Sequence, residues 1–200
     1  MSQQRKNIVL NRRAVVARIL RDRGTALAVT SLGNPTFDVA AAGDSPQNFY
    51  LWGAMGGAVM VGLGLAQAQP QRRVLVFVGD GEMMMGLGSL ATAAVQQVRN
   101  LGVVVIDNEH YAETGMQPAH AGRGVDITAI ARAAGFAEGR TVHTETELEG
   151  AVDLLLQGAG PVLATIKVTT DPAPTALPPR DGPFLRSRMR EHLLGEAAHR

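Results

Sequence analysis

Apolar residues recur along this chain in two rhythms, and together they predict helices alternating with strands. Residues 11–23 (NRRAVVARILRDR) put Val15, Ile19 and Leu20 on one helical face, and Gly24 ends the segment. Residues 25–31 (TALAVTS) follow as a strand, then a loop over residues 32–35. Residues 53–68 read as a buried helix rich in Gly and Ala, where small side chains let other backbone approach closely. Residues 74–78 (VLVFV) and 103–106 (VVVI) are unbroken apolar runs, the pattern of parallel strands buried on both faces. Between them residues 82–99 read as one helix, stopped near Asn100-Leu101-Gly102. Strand, helix and strand in that order predict a right-handed parallel crossover.

Further on, Asp126 is placed to cap a helix through Ala134 that Gly135 closes. Residues 140–143 read as a short strand. Thr144 with Glu147 is a capping-box signature for a helix to about Gln157, and residues 162–168 (VLATIKV) form a last buried strand. The expected fold class is α/β, a parallel sheet flanked by helices on both faces. Residues 1–170 are expected to form one domain. Beyond Asp171 the prolines at 172, 174, 178, 179 and 183 mark an extended arm, residues 171–200, with a short basic helix over about 185–194.

Composition narrows what this fold can carry. A chain of 200 residues with 46% apolar and 18% charged residues has material for one real core. The net charge of +1 argues against a dedicated nucleic-acid binder. With no cysteine, disulfide scaffolds, Cys-ligated metals and Cys nucleophiles drop out, so a metal must sit on oxygen or imidazole ligands. Aromatics at 4% argue against stacking platforms. Residues 1–11 lack the apolar run of a secretory signal, and residues 53–68 are too short and glycine-rich for a membrane span. The expectation is a cytoplasmic protein.

The chemistry gathers at the crossover. Asp80 ends one predicted strand and Asn108 ends the next, and ligands of open α/β sheets bind at those ends. Two oxygen side chains there suit a hard cation such as Mg²⁺. Gly79 and Gly81 allow close backbone approach to a bulky anion. A helix beginning at Glu82 would aim its positive end at the same place. A metal beside a helix N-terminus makes a diphosphate site. Taken singly, Gly79-Asp80-Gly81 also fits a plain tight turn, Asn108 a loop residue and Met55 a core filler.

The run Gly79-Asp80-Gly81, then 26 residues, then Asn108 resembles the motif of thiamine-diphosphate enzymes. The resemblance implies Mg²⁺ on Asp80, Asn108 and the carbonyl of His110, and the backbone N–H of Gly81 or Glu82 against the diphosphate. Gly79, Tyr111 and Ala112 join the implied cofactor contacts. The segment NFYLWGAMGG, residues 48–57, resembles the part of the family that holds the aminopyrimidine. Met55 would then be the apolar side chain that bends the cofactor. The Gly53 carbonyl would accept from its 4′-amino group, with Ala54 between them. Three stretches, VTSLGNPTF, FYLWGAMG and DNEHYAETGMQP, are similar to the sulfopyruvate and phosphonopyruvate decarboxylases, the likeness covering roughly residues 25–170.

That family implies a 2-oxo acid decarboxylase whose activating Glu lies on a pyrimidine domain. Only about 50 residues precede Met55, so the Glu is expected on a separate partner subunit, in an α₂β₂ or higher hetero-oligomer. Carboligation on the same cofactor and a non-catalytic binding module are the competing readings. A nicotinamide-binding domain fails, because no G-x-G-x-x-G follows the first strand. Two positions depart from the family: Ala119, followed by His120, stands where relatives tend to carry a hydroxyl, and Trp52 where a smaller or aliphatic residue is expected. Glu113, Thr114 and Gln117 are candidate site-lining residues or a solvated loop. Arg123, Arg186, Arg188 and Arg190 are candidate substrate cations or a solvated face. His110, His120 and Asn34 complete the candidates.

Overall fold

A computed structural model describes residues 8–199; the N-terminal reading for residues 1–7 lies outside the described residues. Six parallel strands form the sheet, in the order β2-β1-β3-β4-β8-β7. They are β1 (Leu27–Thr30), β2 (Asn48–Tyr50), β3 (Val74–Gly79), β4 (Leu101–Asp107), β7 (Glu138–Val142) and β8 (Val162–Lys167). A two-stranded hairpin, β5 (His110–Tyr111) with β6 (Gln117–Pro118), stands apart from the sheet. Strand side chains alternate between two apolar layers. Leu75, Phe77, Val104 and Ile106 meet α1 (Arg12–Arg21), α2 (Gly33–Ala41) and α7 (Glu145–Gln157) on one face. Val74, Val76, Val103 and Val105 meet α3 (Ala58–Ala68), α5 (Gly88–Gln96) and α6 (Ile127–Ala134) on the other. The continuous apolar runs are thus strands covered on both sides, and the expected fold class is the observed one.

Caps decide several boundaries. Asn11 accepts from the N–H of Arg13 and Ala14 at the start of α1, and Asp126 from that of Ala129 at the start of α6. Thr144 and Glu147 form the complete capping box of α7. Several boundaries differ from expectation, and one strand was not foreseen. Residues 32–35 are not all loop, because α2 begins at Gly33 and carries Pro35 in its first turn, where a missing N–H costs nothing. β2 has only three residues, too few to show a period. The helix expected from residue 53 starts at Ala58, because residues 53–57 form a turn with positive φ at Gly53 and Gly56. The helix expected over 82–99 is two pieces, α4 (Asp80–Met85) and α5, parted at Gly86-Leu87.

That break is a tertiary effect. A Cβ on Gly86 would lie 2.2 Å from the carbonyl oxygen of Gly56, so two glycine backbones meet there and tie the 53–57 turn to the α4–α5 joint. Beyond β8 the arm runs extended until α8 (Gly182–Leu194), whose Leu185 is buried in the first apolar layer. Arg188 of α8 reaches Asp44 with two hydrogen bonds of 2.6 and 3.1 Å, which fastens the helix beside edge strand β2.

The packing predicts one substitution clearly. A Cβ on Gly62 of α3 would sit 2.2 Å from Val76 Cγ2, a stiff branched side chain in the sheet. Gly62→Ala should therefore destabilise the chain by about 1–3 kcal/mol through overpacking, despite Ala's better helix propensity. Adding Val76→Ala should recover part of that loss in thermal melts, and additivity of the two losses would contradict the contact.

Candidate active site at the carboxyl edge of the sheet

β3 and β4 are paired so that Gly79 faces Ile106, and their carboxyl ends deliver Asp80 and Asn108 side by side. Asp80 is the first residue of α4, which begins two residues earlier than the sequence predicts. A cavity of about 150 Å³ opens there, lined by Gly79, Asp80, Gly81 and Glu82 from the β3–α4 corner. Asn108, His110, Tyr111 and Ala112 close it from the β4 side, and Met55 reaches it from the 53–57 turn. Nine of the sequence-predicted residues therefore share one cavity. Gly53 and Ala54 are exposed, next to Met55 in the chain but outside the lining.

Each wall has a local cause. Asn108 Oδ1 accepts the N–H of His110 at 3.1 Å, and His110 Nδ1 pairs with the Asn108 carbonyl at 2.8 Å, which fixes the turn leaving β4. The β5–β6 hairpin then lays the Tyr111 ring over Gly81. A Cβ on Gly81 would come within 2.5 Å of Tyr111 Cε1, so this position of the Gly79-Asp80-Gly81 run accepts only glycine. The Tyr111 hydroxyl pairs with His120 Nδ1 at 2.8 Å. That contact places exposed His120 behind Tyr111 rather than in the cavity.

The electrostatics centre on carboxylates in a dry corner. Asp80 is 3% exposed, and its Oδ2 has no hydrogen-bond partner. Burial, and then the neighbouring charge of Asp107, push its carboxyl up to about 7. Burial pushes Glu82, whose Oε1 also lacks a partner, up to about 7. Burial raises Asp107 as well, although Lys167 Nζ donates to it at 2.7 Å and to Glu109 at 2.9 Å. A buried unpartnered carboxylate is costly unless a cation joins it. Among the described residues no group of three His, Cys, Asp or Glu side chains could hold a metal. A cation here would instead draw on one carboxylate with amide and carbonyl oxygens, a hard-ligand set that fits Mg²⁺.

Other candidates fall out differently. Glu113, Thr114 and Asn34 line the cavity, whereas Gln117 turns away and pairs with Thr114. Arg188 is committed to Asp44 and Arg190 to the Ala198 carbonyl; Arg186 and Arg123 are exposed and line neither this cavity nor its neighbour. Buried Ala119 donates its N–H to the Glu109 carbonyl at 2.8 Å and also stays outside the lining. Sequence reasoning missed Arg12. It is 5% exposed, donates to Asp38 at 2.5 Å, and lines both this cavity and a second of about 230 Å³ beside it. Its partner lies 26 residues away in sequence, so no local signal announces it.

A family profile, the thiamine pyrophosphate enzyme C-terminal TPP binding domain, matches residues 32–166. The chain belongs to this family. Among other thiamine pyrophosphate enzymes it is 42% identical over 129 residues to the sulfopyruvate decarboxylase subunit beta of Methanothermobacter thermautotrophicus, covering 64% of this chain and 69% of that one. It is 38% identical over 157 residues to the phosphonopyruvate decarboxylase of Streptomyces viridochromogenes, covering 77% of this chain and 38% of that one. The benzoylformate decarboxylase structure from Polynucleobacter necessarius superposes with a TM-score of 0.70 at 20% identity, over 87% of this chain and 36% of that chain, a likeness of fold.

The raised acids set a sign for stability. For a carboxyl held above its ordinary value, the fold favours the protonated form, so stability is lost as pH rises from about 4 towards 7 and is not affected below that window. Asp80→Asn should therefore stabilise the cofactor-free chain at pH 8 by about 1–3 kcal/mol, roughly 2–10 °C in Tm, with little effect at pH 4. A lower Tm at pH 8 would show that the Asp80 carboxylate is satisfied by the protein itself.

Proposed function

We propose that this chain is the diphosphate- and Mg²⁺-binding subunit of a thiamine-diphosphate-dependent 2-oxo acid decarboxylase. The observation that carries the reading is the buried Asp80 carboxylate, whose Oδ2 has no partner, sharing with Asn108 a cavity walled in part by glycine backbone. Asp80, Asn108 and the carbonyl of His110 would hold the ion. The N–H groups of Gly81 and Glu82 would meet the diphosphate, with Gly79, Tyr111 and Ala112 completing that end. Met55 would support the folded cofactor and the Gly53 carbonyl its amino group, with Ala54 as the spacer. When bound, thiamine diphosphate supplies a nucleophilic carbon and an electron sink for loss of CO₂. The chain's own work is to anchor the ion, keep that corner dry and orient the ring.

The substrate class follows the relatives, which act on sulfopyruvate and phosphonopyruvate. In the reading a second, pyrimidine-binding subunit brings the activating carboxylate, in a cytoplasmic α₂β₂ or higher assembly. Support comes from the beta-subunit relatives and from exposed apolar side chains on the 53–57 turn and the helices after it. Met55, Met60, Val61, Met85 and Val95 are 36–77% exposed on the 53–57 turn, α3, α4 and α5. Large apolar side chains left exposed on neighbouring elements are the kind a protein interface covers.

Two outcomes test this reading. Calorimetric titration of the assembled enzyme should show Mg²⁺-dependent thiamine diphosphate binding that Asp80→Ala abolishes and Asn108→Ala weakens by at least about tenfold, the loss of one charge-assisted metal contact. Unchanged binding in Asp80→Ala would refute the ligand assignment. The chain alone should release no CO₂ from sulfopyruvate or phosphonopyruvate, and addition of the partner should restore turnover; full activity of the isolated chain contradicts the divided site.

A further inference from the structure

Trp52 is the chain's single tryptophan, and its backbone sits at φ 50°. A bulky residue in that left-handed region is strained and persists only where its surroundings hold it. Three contacts do so. The indole Nε1–H donates to the Pro179 carbonyl at 2.8 Å. The Arg180 guanidinium lies 5.0 Å from the ring centroid, and the Phe37 ring of α2 stands 6.5 Å away. Pro179 and Arg180 belong to the arm between β8 and α8. That arm is itself fastened upstream, where the Pro174 carbonyl accepts from Arg13 Nη2 at 2.7 Å. Its first residues, Thr169, Thr170 and Asp171, line the second cavity with Arg12 and Asn108. The arm thus runs as a strap from the Asn108 end of the site to Trp52.

The next residues after Trp52 are Gly53, Ala54 and Met55. Their turn is held on its far side by the backbone contact of Gly56 with Gly86. On its near side it is held through Trp52. A glycine at position 52 would satisfy the backbone without strain, so the tryptophan side chain has another task. We propose that Trp52 is a positioning residue: the strap grips its indole and thereby fixes the turn that presents Gly53 and Met55 to the cofactor's aminopyrimidine. The inference rests on the thiamine diphosphate reading and adds to it the strap and the residue that transmits its grip. It also accounts for an indole at a position where the family leads one to expect a smaller or aliphatic residue.

The test uses the enzyme assembled with its partner subunit and three variants, Trp52→Gly, Trp52→Phe and Arg180→Ala. Trp52→Gly keeps the backbone conformation accessible but leaves the strap nothing to grip. It should weaken thiamine diphosphate about tenfold, with Trp52→Phe and Arg180→Ala each weakening it about two- to threefold, as expected for loss of one hydrogen bond or one cation–π contact. The lone indole emission should shift in Arg180→Ala and should respond to thiamine diphosphate in the parent. If Trp52→Gly fails to fold, Arg180→Ala decides through its affinity and its emission. Parent-like affinity in Trp52→Gly, or in Arg180→Ala an unshifted emission with unchanged affinity, overturns the proposal and leaves the cofactor reading standing. A parent enzyme that binds no thiamine diphosphate overturns both.

Discussion

The site depends on a carboxylate that the protein buries and leaves with one oxygen, Asp80 Oδ2, unpartnered. Asp80 is buried against Asp107, and Lys167 answers Asp107 and Glu109 directly. Such a group costs the fold stability unless a cation arrives. What makes the placement possible is the parallel sheet. Parallel strands bring their carboxyl ends to one edge, so β3 and β4 deliver an acid and an amide together without any long-range loop. Each flanking layer is apolar and tightly packed, which keeps that edge rigid while its loops carry the chemistry.

Around this acid the chain uses glycine as a spacing device in only a few places. Gly81 lies under the Tyr111 ring, and Gly56 lies on Gly86. The first contact shapes the wall of the cavity, and the second joins the turn carrying Met55 to the α4–α5 break. Both ends of the site are thus tied to the same short helix, α4. The hairpin that supplies Tyr111 meets its first turn at Gly81, and the turn that supplies Met55 meets its C-cap at Gly86.

Much of the architecture was legible in the sequence. β3, β4 and β8 are unbroken apolar runs, because both sheet faces are covered. α6 and α7 announce themselves through Asp126 and the Thr144–Glu147 pair, whose side chains act on their own backbone. What stayed hidden was set at a distance or was too short to show a period. α2 begins inside a Gly-Asn-Pro stretch that reads locally as loop, and β2 has three residues. The break in α4–α5 is made by Gly56, thirty positions upstream of Gly86. For the site, the spacing of Asp80 and Asn108 was enough to place the cavity, because a crossover unit has a fixed geometry. Arg12 was invisible for want of its distant partner Asp38. Trp52 was read as an oddity of the cofactor segment, whereas its neighbours come from the arm more than 120 residues later.

In the proposed function Asp80 and Asn108 hold the cofactor's metal at the edge of the sheet. The most direct measurement is anomalous X-ray diffraction from crystals of the assembled enzyme grown with thiamine diphosphate and Mn²⁺ in place of Mg²⁺. An anomalous peak is expected in coordination contact with the Asp80 carboxylate and the Asn108 amide oxygen, beside the density of the diphosphate. Cofactor density with no peak there, or a peak on other residues, contradicts it.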